Sequence, residues 1–356
     1  MKTKLHSLIA LLFLSTILRA QPGSLDLTFD PGVGANQRIY EAKFNTDGRI
    51  LLGGLFSEYQ YYLNDVPLVS VESNGTIFSS FYASGIAGTF HDVLALNKLS
   101  NGDIIISGAM YNYNSTGVNY SYISRNTNTG AYVSTFSPPL LLNGTVRGLA
   151  IQTDDKIIYG AEYTDAINTT ITLYKLERLN ANNGSVDATF NTGTGINGVV
   201  TAIAIQSDGK IIIGGSFTNY NGSSRNYIAR INSNGTIDNT FNVGTGFSSF
   251  AQIKNIQIQS DGKVVVVGEF TSYNGTARSG IVRINTNGSI DTSFNPGDGA
   301  SGVSSTGVYD LAIQPDGKMI IVGDFFSYDG TTISKIARIN ANGTLDTSFN
   351  PGTGPN

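Results

Sequence analysis

The sequence predicts an all-β fold, a six-bladed β-propeller of four-stranded antiparallel blades, and three observations carry the prediction. A turn marker recurs every 53–55 residues, as Asp47-Gly48, Asn101-Gly102, Asp154-Asp155, Asp208-Gly209, Asp261-Gly262 and Asp316-Gly317. A second motif, G-[ST]-x-D-x-[ST]-F, is complete at 23–29, 184–190, 235–241, 288–294 and 343–349, with degenerate copies at 75–81 and 130–136. Between these markers lie short apolar, β-branched runs of strand length. A period of this size in a strand-rich chain indicates sheets repeated radially about an axis.

The last repeat justifies each element in order. The apolar run 308–314 is the first strand, and Pro315-Asp316-Gly317 is hairpin chemistry, because Gly accepts the positive φ that the turn needs. The run MIIVGDF at 319–325 is the second strand, with Gly323 marking a close backbone approach. A longer polar loop, 326–332, leads to a third strand at 334–340. Ala341-Asn342-Gly343 is another tight turn, and TLDTSF at 344–349 is the expected fourth strand. Connections therefore alternate tight, long, tight, long. Antiparallel strands reverse at each connection, so the long loops should gather at one end of the molecule. The blades fall at about 39–81, 90–136, 144–190, 198–241, 251–294 and 306–349.

The motif count exceeds the marker count by one, because 23–29 precedes the first blade. That extra copy is expected to close the ring as an N-terminal strand beside the sixth blade, since an open sheet edge invites aggregation.

QPDGK at 314–318 and ARINANGTLDTSF at 337–349 resemble the bacterial delta-60 repeat family almost residue for residue, over essentially all of 23–354. The strand order is also similar to the NHL-type propeller unit. The resemblance implies a secreted or surface β-propeller and implies no known reaction.

Length and composition fit one large all-β domain over 21–356. The chain has 356 residues, 40% of them hydrophobic, and a net charge of −4 with only 13% charged residues. That balance argues against nucleic acid or an anionic membrane as the main partner. Residues 1–20 read as a signal peptide: Lys2, Lys4 and His6 are followed by the apolar stretch 8–18 and by Ala20. Export to the periplasm, the cell surface or the medium is expected, with no membrane span in the mature chain. Cysteine is absent, so packing and sheet hydrogen bonds must hold the fold without disulfides.

Arg125, Arg178, Arg230, Arg283 and Arg338 share one position of the third strand, and Asp187, Asp238, Asp291 and Asp346 share one position of the fourth. The pairs Arg230–Asp238, Arg283–Asp291 and Arg338–Asp346 are read as structural salt bridges, worth ~0.2–1 kcal/mol each.

No catalytic, cofactor or metal motif stands above the repeat. His91 is the one histidine after the signal peptide, and a serine triad would have to use it. The calcium loop D-x-[DN]-x-[DN]-G is absent. Candidate function lies where the repeats disagree. The starts of the innermost strands carry Glu41, Asp92, Arg147, Lys254 and Asp310, expected to ring a tunnel mouth on the long-loop face. Loop tyrosines Tyr59, Tyr61, Tyr111 and Tyr113 are the second group, since a tyrosine joins a flat apolar ring to a polar tip. Tyr220, Tyr273 and Tyr328 recur in register and are read as plugs between blades. These features predict a non-catalytic binding or structural module for an extracellular glycan or protein. The rival reading is a propeller hydrolase or lactonase with a site at the tunnel mouth.

Overall fold

Each turn marker closes a hairpin in the same way. Gly317, with φ at 82°, donates its N–H to the Gln314 carbonyl at 2.9 Å, and the Asp316 carboxylate accepts the Lys318 N–H at 3.0 Å. Gly209 and Gly262 repeat the arrangement with Gln206 and Gln259. The computed structural model describes residues 26–352 apart from 46, 64–66, 82, 84–88, 91, 112–118, 140, 143, 166–167, 169–170 and 303–306. The expected signal peptide therefore lies outside the described residues, as does His91. Strands, bridges and turns account for all regular structure among the described residues, and none of it is helical.

The hairpins grow into six larger antiparallel sheets. Sheet one is Ile39–Phe44, Ile50–Gly54 and Leu68–Val71; sheet two is built on Ala95–Lys98, Ile104–Tyr111 and Asn119–Asn126. Sheet three is Thr145–Ile151, Ile157–Thr164 and Thr172–Leu179; sheet four is Val200–Ile205, Ile211–Gly215 and Ile228–Ile231. Sheet five is Gln252–Ile258, Val264–Glu269 and Ile281–Ile284; sheet six is Val308–Ile313, Met319–Gly323 and Ile336–Ile339. The first strands carry a register slip at the same place, between Ile253 and Asn255 in sheet five and between Val308 and Asp310 in sheet six. This bulge explains the recurring glycine of the second strand. A Cβ on Gly268 would sit 2.2 Å from the Gln252 carbonyl oxygen, so only glycine admits the approach.

The core lies between sheets. Five of the six apolar clusters join one sheet to the next, and the sixth lies within sheet one. Ile158 and Leu176 pack with Val200 and Ile211, Ile212 and Ile228 with Ile253 and Ile256, and Val265 and Ile281 with Val308 and Leu311. All of these side chains are buried, and each contributes about 1.5–3 kcal/mol relative to exposure.

The structure corrects the sequence on three points. The fourth strand is not formed: the segment after each third strand touches it by one isolated bridge, such as Ile231 with Ile237, Ile284 with Ile290 and Ile339 with Leu345. The reason is in the D-x-[ST]-F motif itself. The Asp238 carboxylate accepts the Thr240 N–H at 2.9 Å and its hydroxyl at 2.7 Å, winding the chain into a turn that leaves the sheet.

The long loops do not stand up over the tunnel mouth either. In sheets one, four, five and six each folds into a small hairpin, such as Ser272–Tyr273 on Thr276–Ala277, and buries its tyrosine. The Tyr273 and Tyr328 hydroxyls donate at 2.6 Å to the carbonyls of Gly288 and Gly343, in the turns at the far ends of their third strands. A phenol reaches that turn only if the loop runs back along the sheet.

Finally, residues 26–29 of the N-terminal copy form no strand beside sheet six, and 23–25 lie outside the described residues. Its described part, 26–29, is an Asp-capped turn, and the Asp30 N–H donates to the Asn74 carbonyl of sheet one at 2.7 Å. Asn191, Asn242 and Asn295 make the same bond to Asn234, Asn287 and Asn342 of the sheets that follow them. The copy docks on the next sheet as those three do.

Candidate functional site

Residues at the first strands of all six sheets line one hollow, and a second, deeper hollow shares Glu41, Arg147, Thr201, Lys254 and Asn255 with it. The deeper one, about 360 Å³, is lined by Lys43, Asn97, Ala150, Ile203 and Gln257. The mouth, about 600 Å³, brings together Tyr40, Glu41, Arg147, Thr201, Lys254, Tyr309 and Asp310. Polar side chains bridge neighbouring strands across the axis. Asn97 donates to the Leu149 carbonyl at 2.9 Å, Gln257 to the Leu311 carbonyl at 2.7 Å, and Asn255 to the Asp310 carboxylate.

Glu41, Arg147, Lys254 and Asp310, four of the five rim residues named from the sequence, thus line one cavity. Asp92 does not. Its carboxylate accepts the Ala109 N–H at 2.7 Å, and Leu94 takes the place at the mouth. Counting back from the turn marker would have found this, because Leu94 precedes Asn101 by the interval that separates Tyr309 from Asp316.

The mouth charges are balanced within sheets. Arg147 pairs with Glu162 at 3.1 Å and Lys254 with Glu269 at 2.9 Å, each acid sitting at the end of the neighbouring second strand. Tyr309 reaches Asp324 at 3.4 Å from the matching position of sheet six. Burial raises the Tyr309 phenol above its ordinary range, and Asp324 and Glu269 add to the rise. Glu41 is also raised. Burial is the main cause, Lys43 at 3.5 Å opposes it, and the charge of Asp310 reinforces it.

The four candidate tyrosines separate. Tyr59 is buried, bonds the Gly75 carbonyl at 3.2 Å and bridges to Ala35, as Tyr220 does to Ile196. It is a structural plug, and its spacing from Phe56 already matched that of Tyr220 from Phe217. Tyr61 is exposed with a positive φ of 66°. Tyr111 ends a strand of sheet two, and Tyr113 lies outside the described residues.

The Arg and Asp positions lie at the opposite end of the sheets. Arg230, Arg283 and Arg338 each place Nε 2.7 Å from Asp238, Asp291 and Asp346, and Lys210, Lys263 and Lys318 approach the same carboxylates. The guanidinium groups lie 4.8–5.1 Å from the ring centres of Phe241, Phe294 and Phe349. Burial would raise these three carboxyls. Hydrogen bonds from the Ser or Thr, Lys and Arg around them prevail and hold them well below the usual carboxylate range. Among the described residues, no group of three or more His, Cys, Asp or Glu is placed to hold a metal ion.

Sequence reasoning missed one feature. Phe250, 92% exposed with φ at 64°, projects beside the mouth from the connection into sheet five. The signal was available: six positions separate Phe247 from Ile253, whereas four separate Ile196 from Val200.

Comparison with known proteins places the repeat. Residues 206–241, 259–294 and 314–349 match the family described as "Domain of unknown function (DUF5122) beta-propeller". Three of the repeats are therefore of a β-propeller type. No curated protein matches the chain. Among solved structures, a protein of unknown function from Bacteroides caccae is 11% identical, with a TM-score of 0.41 over 78% of this chain and 87% of that one. PorZ, an essential bacterial surface component of the type-IX secretion system of Porphyromonas gingivalis, is 10% identical, with a TM-score of 0.46 over 90% of this chain and 43% of its own. Puromycin hydrolase is 10% identical, with a TM-score of 0.44 over 83% of this chain and 44% of its own. The chain thus spans less than half the length of the latter two.

Proposed function

We propose that the chain is a six-bladed propeller, with the blade limits given above, that is exported through residues 1–20. Outside the cell it acts as a non-catalytic binding module for a glycan or protein at the axial mouth. The observation that carries this reading is the contrast between two adjacent positions of the first strand. One is Val or Ile in all six sheets: Ile39, Val93, Val146, Val200, Ile253 and Val308. The next is Tyr40, Leu94, Arg147, Thr201, Lys254 and Tyr309, and these side chains surround one cavity. Packing buries the first set at every sheet but the first and leaves the second free to take up a ligand. The test is retention of the purified 21–356 protein on arrays of glycans and of secreted proteins. Arg147→Ala and Lys254→Ala should weaken a specific hit at least tenfold, and retention equal to wild type in both would overturn the site.

Glu41 favours a second reading. A carboxyl whose pKa burial raises above its ordinary range, beside Asp310 at the mouth of a cavity, is a candidate proton donor to a leaving group. Turnover of a lactone or ester panel that disappears in Glu41→Gln would establish the hydrolase, and absence of turnover in wild type would remove it.

A further inference from the structure

We infer that the groove beneath Phe250 is a binding site for a neutral glycan, the aromatic ring taking a sugar face and the flanking charge pairs taking its hydroxyls. This rests on the reading of the chain as a binding module, and it names both the ligand class and a contact that the axial mouth alone does not supply.

The groove encloses about 580 Å³ between sheets three, four and five, and its wall includes Arg147, Glu162, Thr201, Gln252, Lys254 and Tyr227. Phe250 stands over it on a loop held at both ends. On one side Phe247 is buried against the rings of Phe270 and Tyr273, at 4.6 and 4.9 Å between centres. On the other, Ala251 is buried and donates its N–H to the Ser248 carbonyl at 3.2 Å. The Phe250 N–H itself donates to the Tyr227 hydroxyl at 3.0 Å. A phenylalanine with positive φ is strained, and strain of this kind persists only where the surroundings over-determine it. Packing does not explain the residue, because the ring it presents is exposed. The loop fixes an apolar plate in water, with its conformational cost already met before any ligand arrives.

The polar wall selects the ligand. Arg147 is paired with Glu162, and Lys254 with both Glu269 and Gln252, so two cations are balanced by two anions. A charged ligand would have to break these pairs. Adjacent hydroxyls of an uncharged sugar can instead accept from Arg147 and Lys254 while donating to Glu162. A single exposed ring beside four charged groups offers too little apolar area to seat an amphipathic peptide.

Binding of wild type, Phe250→Ala, Phe250→Trp and Phe250→Gly to an array of neutral and acidic glycans and of secreted proteins tests the site. Neutral glycans retained by wild type should bind at least tenfold more weakly to Phe250→Ala and Phe250→Gly and be rescued by Phe250→Trp. Melting of Phe250→Gly should occur at or above the wild-type temperature, since glycine relieves the strain, so a binding loss cannot be assigned to unfolding. Equal binding by Phe250→Ala, or retention of acidic glycans alone, would overturn the groove while leaving a binding module. Retention of proteins but no glycan would do the same. Retention of nothing would overturn both.

Discussion

The boundary between sheets four and five and the boundary between sheets six and one are built from equivalent residues and end in different states. At the first, Ile253 is fully buried against Ile212 and Ile228. Arg230 also crosses it, donating from Nη1 to the Thr286 carbonyl at 2.6 Å. Arg125, Arg178 and Arg283 make the same bond to Ala181, Ser233 and Ala341, so four successive boundaries carry a latch. At the second boundary Ile39, the counterpart of Ile253, is 44% exposed and Phe44 is 78% exposed. Ile320 and Val322 are half-buried where Val265 and Val267 of sheet five are fully covered. Arg338 keeps its Asp346 but reaches no neighbouring sheet among the described residues. The boundary between sheets one and two is intermediate. It has a sealed core around Val93 and no latch, because sheet one carries Ser70 where the others carry Arg. The Ser70 hydroxyl is buried without a partner. Repetition of sequence thus does not make boundaries equal; each must be covered by a neighbour to become core.

Four measurements would break or sharpen this contrast. The largest effect is expected from Ile253→Ala, which should cost about 3 kcal/mol by denaturant unfolding, against less than about 0.5 kcal/mol for Ile39→Ala. Equal losses would mean that the seam is sealed in solution. Next, Arg230→Ala should cost about 2–3 kcal/mol, because it removes one of the two cations that pair with the buried Asp238 and cuts the latch. Arg338→Ala, with no latch to lose, should cost about 1 kcal/mol. A ranking in the opposite order would reject the latch.

Acid should find the same network. Asp187, Asp238, Asp291 and Asp346 titrate below their unfolded values, so their ionisation stabilises the fold. That stability is complete above about pH 5 and is lost as pH falls through about 4 and below. Melting temperatures that stay flat from pH 6 to pH 3 would contradict the pairing. Last, amide hydrogen exchange should be slowest in Ile211–Gly215 and Val264–Glu269 and faster in Ile39–Phe44 and Met319–Gly323, with uniform protection as the contrary result.

Much of the fold was legible because the period and the turn residues are local. The Asp-Gly and Asn-Gly pairs of the hairpin turns carry a glycine with positive φ, and the Val or Ile ahead of five of the six mouth positions is buried. The fourth strand misled because Ile237 and Ile290 look like strand residues, while Asp238 and Asp291 close a turn by accepting from Thr240 and Ser293, which the guanidinium and lysine beside them reinforce. The site was legible in part. Glu41, Arg147, Lys254 and Asp310 converge because they occupy two adjacent positions that recur in the first strands. Phe250 escaped because it stands in a connection whose length varies from repeat to repeat, and comparison of repeats discards what does not align.

The latches also have a direction. Every one runs from an arginine of one sheet to a turn carbonyl of the next, so the assembly has a leading and a trailing end, like a row of people each holding the shoulder ahead. Pulled from its two ends, such a row gives way at the outermost members first. The protein should therefore unravel under force in steps, sheets six and one before the interior, with sheets four and five the last to part.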